Sequence, residues 1–134
     1  MENLIMIASD AILYAEDPGT AVEAPVSETE TENGGGTDTS APTLSNVSIT
    51  SNNTDTTEAE AGDNVTLTFT ASEAIGTPVV TFKSGGAAIN DSSVTYTNTT
   101  GNTWTAVYTA DASDTLGAVS FSIAFSDTAS NAGT

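Results

Sequence analysis

Apolar residues alternate with Ser, Thr and Asn in short runs from Pro42 to the end of the chain, and this spacing of two is what a half-buried β-strand requires. Leu44 to Thr50 is the first such run. Val65-Thr66-Leu67-Thr68-Phe69-Thr70 is the most regular, with three apolar side chains on one face and three threonines on the other. Further strands are predicted at Thr77 to Phe82, Val94 to Thr97, Thr103 to Thr109 and Val119 to Phe125. The expected core contributors are Trp104, Ala106 and Tyr108 in one of these, and Val119, Phe121, Ile123 and Phe125 in another. Turn residues separate the runs: Ala61-Gly62-Asp63-Asn64, Ser84-Gly85-Gly86, and Asn98 to Asn102 around Gly101. Helical periodicity is lacking throughout, so the pattern predicts an all-β sandwich.

The first third of the chain reads differently. Residues 1 to 16 form an apolar docking segment in which Leu4, Ile5, Met6, Ile7, Ile12, Leu13 and Tyr14 are concentrated. Residues 17 to 40 follow as an acidic linker with Pro18, Pro25 and a Gly34-Gly35-Gly36 run, too polar to bury a core of its own and expected to act as an extended spacer. A short apolar segment on a polar tether needs a surface to cover it. Adding as a strand to a sheet edge, lying in a groove of another protein, or folding back onto its own sandwich would each do so.

Charge narrows the partners. Eighteen Asp and Glu face a single basic residue, Lys83, and the formal net charge is -17. Binding to nucleic acid draws its affinity from Lys and Arg that displace counterions, so nucleic acid is excluded as a partner, and an anionic membrane surface with it. The absence of His, Cys and Arg removes the commonest general bases, thiolate nucleophiles, zinc ligands and oxyanion clamps. No enzymatic activity is expected. Met1-Glu2-Asn3 ahead of Leu4 to Ala8 lacks the cationic and long apolar regions of a secretory signal, and no stretch is long enough to span a bilayer as a helix.

Several residues invite a functional reading and are better explained structurally. Acidic groups at Glu58, Glu60 and Asp63, at Asp111 and Asp114, and at Asp127 near Asn131 fall in predicted turns. Calcium takes oxygen ligands from such loops, but none has the spacing of an EF-hand. They read as solvated turn carboxylates, and no cofactor or metal site is expected. Lys83 and Ser84 are strand neighbours, so they point to opposite faces and form no catalytic pair. Trp104, Tyr96 and Tyr108 would suit a platform for cell-surface glycans only if exposed, and the alternation around Trp104 favours the core. Asn-X-Ser/Thr triplets such as Asn46-Val47-Ser48 are expected by chance in a chain this rich in Asn, Ser and Thr.

Three stretches, AGDNVTLTFTASEAI, GNTWTAVYT and FSDTASNAGT, resemble the bacterial immunoglobulin-like repeat domains of surface adhesins and of virion proteins of tailed phages. The resemblance spans Ala41 to Thr134. Its tokens are the Gly62-Asp63 turn, the Gly101-Asn102-Thr103-Trp104 turn and strand, and the Asp127 to Gly133 loop. It implies an immunoglobulin-like sandwich of about 6–7 strands. The family continues past this loop into a final strand, so here that strand is expected to be absent or donated, with Leu4 to Tyr14 of the same or a neighbouring subunit as a candidate donor. In function the resemblance implies a structural or display role. The expected setting is a virion surface, as a capsid-decoration or fibre protein held to capsid, tail or like subunits by the N-terminal segment. The alternative is a fragment of a bacterial surface adhesin or of an extracellular filament subunit.

Overall fold

The computed structural model describes residues 37–134, and the backbones of two short N-terminal strands, β1 (Ile5–Met6) and β2 (Leu13–Tyr14). Leu4, Ile7, Ile12 and nearly all of the 17–40 linker lie outside the described residues. Eight further strands follow: β3 (Leu44–Ser51), β4 (Glu58–Ala59), β5 (Asn64–Ala71), β6 (Val79–Ser84), β7 (Ala87–Ala88), β8 (Thr95–Thr100), β9 (Thr103–Thr109) and β10 (Val119–Ala124). Among the described residues there is no helix, and so none that could cross a membrane.

Two antiparallel sheets make the sandwich, one of four strands in the order β3-β5-β9-β8 and one of three in the order β10-β6-β7. That distribution of strands is immunoglobulin-like, with β10 at one margin of its sheet. There β2 runs parallel to β10, aligning Leu13 with Phe121 and Tyr14 with Ser122. Nearer the N-terminus β1 pairs with β4, Ile5 opposite Ala59.

The alternation in the sequence becomes alternation in burial. Val65, Leu67, Phe69 and Ala71 of β5 are buried, and so are Val80 and Phe82 of β6 and Val119, Phe121 and Ile123 of β10. Apart from Ala71, each such side chain contributes about 1.5–3 kcal/mol when removed from water. Within sheets the register places large beside small, Leu67 against Ala106, and pairs Phe121 with Phe82. Between sheets Tyr108 meets Phe82 at a ring-centroid distance of 4.7 Å. Trp104 is half-buried at the margin of this core rather than at its centre.

Strand limits differ from the sequence reading where backbone chemistry intervenes. The third long strand starts at Val79 instead of Thr77, because Pro78 has no N–H to give a ladder. Asn98 to Thr100, expected as turn, continue β8 through a register shift against β9, and the turn shrinks to Gly101-Asn102. Strands β4 and β7 are two residues each and carry no periodicity to detect.

Gly85 and Gly117 let the β6–β7 turn approach the segment before β10. Gly85 has φ +56°, and a Cβ there would lie 2.4 Å from the Leu116 carbonyl oxygen. Gly101 has φ +52° with open space around it, so it carries only the conformational cost. Gly85→Ala should therefore destabilise the domain by more than about 1 kcal/mol beyond Gly101→Ala in paired denaturant titrations. The Tyr108 hydroxyl is buried with no hydrogen-bond partner among the described residues, which costs on the order of 1–3 kcal/mol. Tyr108→Phe keeps the ring contact and is expected to raise the melting temperature by several degrees.

Candidate functional site

Most acidic residues of the sandwich are used in building its loops. Asp38, Asp55, Asp91 and Asp111 each accept a hydrogen bond from the backbone N–H two residues on, at Ser40, Thr57, Ser93 and Ser113. These are Asx turns, in which a short acidic side chain substitutes for a backbone acceptor. The Thr57 and Ser113 hydroxyls add second bonds, and both aspartates are held below the ordinary carboxylate range by them. Buried Asp114 accepts from the Asn90 backbone and side chain and from the Asp111 N–H, tying the β7–β8 loop to the β9–β10 loop. Asp63 accepts from Asn53 and from the Glu60 N–H. An open polar depression on this face is lined by Asn90, Asp91, Thr95, Thr109 and Asp111, where Asp91 is already engaged by the Ser93 and Thr109 N–H groups.

One carboxylate cluster is different. At one end of the sandwich the lead-in to β3, the β5–β6 loop and the segment after β10 converge, and they bring together Asp38, Glu73 and Asp127. One carboxylate oxygen from each lies within 4.8 Å of the others. The loop after β10 is fixed by Asp127, whose Oδ1 accepts the Asn131 N–H at 2.8 Å and whose Oδ2 accepts the Asn131 side-chain amide at 2.6 Å. That amide also donates to the Asp38 carbonyl at 2.9 Å, so Asp38, within the stretch read as linker, is fastened to the sandwich.

The cluster is electrostatically uneven. Burial would raise Asp127, but the bonds from Asn131 and from the Ala129 and Ser130 backbones outweigh it and hold the group below its ordinary value. Glu73 goes the other way, raised by desolvation first, then by the charge of Asp38, a shared hydrogen bond with it, and the charge of Asp127. Three hard oxygen donors are the chemistry a calcium ion takes. Both Asp127 oxygens are already accepting N–H bonds, however, and the arrangement acts as a loop clasp under like-charge tension.

Of the groups read as solvated turn carboxylates, Asp114 and Asp127 are instead buried, because they accept loop N–H groups, while Glu58 and Glu60 flank buried Ala59 in and after β4. Glu73 and Asp38 carried no signal in sequence, since they meet Asp127 only through the fold. Lys83 is exposed and Ser84 buried, as strand neighbours must be. Tyr108 is buried, Tyr96 donates its hydroxyl to the Val80 carbonyl, and Trp104 packs against the core. These three rings do not form an exposed platform.

Because its carboxyl is raised in the folded state, Glu73 costs stability once ionised, and that cost disappears as pH falls through its folded value toward the ordinary 4.5. Glu73→Gln should melt higher than the parent at pH 7, with the gap closing near pH 4.5 and in high salt. No protein-family model, curated protein or solved structure matches this chain.

Proposed function

We propose that this chain is a non-enzymatic structural protein, which presents an acidic β-sandwich on a spacer and attaches to other protein subunits through residues 1–16. One observation carries the reading: the carboxylates that a catalytic or ligand-binding loop would leave free are here engaged with backbone N–H groups. A body of this kind is built to hold its shape. Ten of the eighteen acidic residues lie in residues 37–134 against Lys83, which disfavours contact between sandwich faces and favours dispersal of the displayed heads.

The uncharged run Leu4 to Ala8 and the Ile12-Leu13-Tyr14 group are then the parts suited to docking. For the setting, the resemblance to bacterial and phage immunoglobulin-like domains supports a virion accessory, decorating a capsid or fibre. A bacterial surface adhesin or filament subunit is the competing setting, and imaging copies on a closed symmetric particle or along a filament separates the two.

Deleting residues 1–16 tests the attachment. The sandwich should keep its β-sheet circular dichroism and cooperative melting, while the assembled species seen by light scattering and electron microscopy is lost. Assembly that survives the deletion overturns the reading.

A further inference from the structure

The two sheets have four margins, and three carry devices that discourage strand addition. β3 is broken by a register shift between Ser45 and Ser48, where Asn46 takes φ 50°. β8 is shifted between Asn98 and Thr100 and exposes Thr and Asn side chains. β7 is two residues long. Bulges and short edge strands are how proteins blunt an open margin.

The fourth margin, β10, has none of these. Val119 to Ala124 pair with β6 over six consecutive positions without a shift, and the strand holds no charge and no proline. Its core side is apolar, with Val119, Phe121 and Ile123 all buried. On its outer side, among the described residues, β10 pairs with Leu13 and Tyr14 alone. Among the described residues this is the most regular of the four margins, and just past its end Gly133 donates to the Phe125 carbonyl while Ser126 bridges Ala132.

Resting on the reading that residues 1–16 dock to protein, we propose that β10 is the receptor and that a second copy of this chain supplies the strand. The N-terminal segment is the complementary piece on the page: its register sets Leu13 opposite core-facing Phe121 and Tyr14 opposite half-buried Ser122. Two aligned residues are a small hold, and an exchanged segment makes the same pairs in another copy. The polar tether between Tyr14 and Asp38, where the chain is fastened to the sandwich, has a contour on the order of 80 Å, enough to cross a neighbouring sandwich. A tether of that length also dilutes the chain's own segment to about millimolar or below, so copies held close compete for the edge. Exchange of this kind links copies through backbone ladders, with no need for sandwich faces to touch.

The chain has no cysteine, so the register can be read by introduced disulfides. Tyr14→Cys and Ser122→Cys are made singly in full-length chains carrying different mass tags, mixed, and oxidised under mild conditions. The expected product is a covalent heterodimer that increases with total protein concentration, and the double variant should give a ladder of higher species. Melting of the reduced variants confirms that both fold. A double variant that closes only on itself, with no heterodimer in the mixture, overturns the inference. If deleting residues 1–16 abolishes assembly yet no heterodimer forms, attachment through the segment stands and a second copy as partner falls. Assembly that persists after the deletion removes both.

Discussion

Contact between two apolar sheet faces is the constraint on which this domain depends, with the Tyr96 hydroxyl, hydrogen-bonded to the Val80 backbone, as a polar tie between the sheets beside it. The chain has no cysteine to bridge them, so Phe69, Leu67 and Tyr108 on one side and Phe82, Phe121 and Ile123 on the other must hold them by burial and shape. A core of this size leaves little reserve, since small domains keep only a modest surplus over conformational entropy. The cost of the unpaired Tyr108 hydroxyl is therefore a large fraction of what remains. Its ring sits against Phe82 across the interface, where removing the whole side chain would open a cavity.

Loops contribute by a second economy. With no disulfides, the turns are held by aspartates bonding to N–H groups two to four residues on, and by Asn131 and Asn90 carrying those bonds between segments. The composition that looked like a solubility device is in part a set of turn-formers. Where three such segments meet, at Asp38, Glu73 and Asp127, like charges crowd together, and the Glu73 carboxyl is raised by desolvation and by its acidic neighbours.

The sheet content was legible because threonine and apolar residues alternate so regularly in Val65 to Thr70 and Thr103 to Thr109. Both buried faces can be read directly from that pattern. What could not be read was pairing at a distance: the two-residue strands β4 and β7 have no period, and Glu73 joins Asp127 only because Ile75 bridges to Asp127 after folding. Trp104 shows the limit of the alternation rule. It lies opposite Phe69 and packs against the core, yet it is the second residue of β9 and the indole stays only partly buried. The edge devices were equally hidden, because Asn46 reveals its bulge only through a positive φ and a lost register.

Strong acidity and an open sheet edge belong together physically. Like charge acts over about 8–10 Å in physiological salt and opposes the approach of sandwich faces, whereas ladder hydrogen bonds act only at contact and along one line. Under the proposed exchange, a net acidic body with an uncharged β10 favours approach at that strand by a thin peptide over a second globular surface. The apolar part of the N-terminal segment, free of charge from Leu4 to Ala8 and again from Ala11 to Ala15, has the composition such access demands. Selectivity for a strand over a domain then follows from electrostatics, and the choice of strand from the pattern of apolar positions that β10 presents.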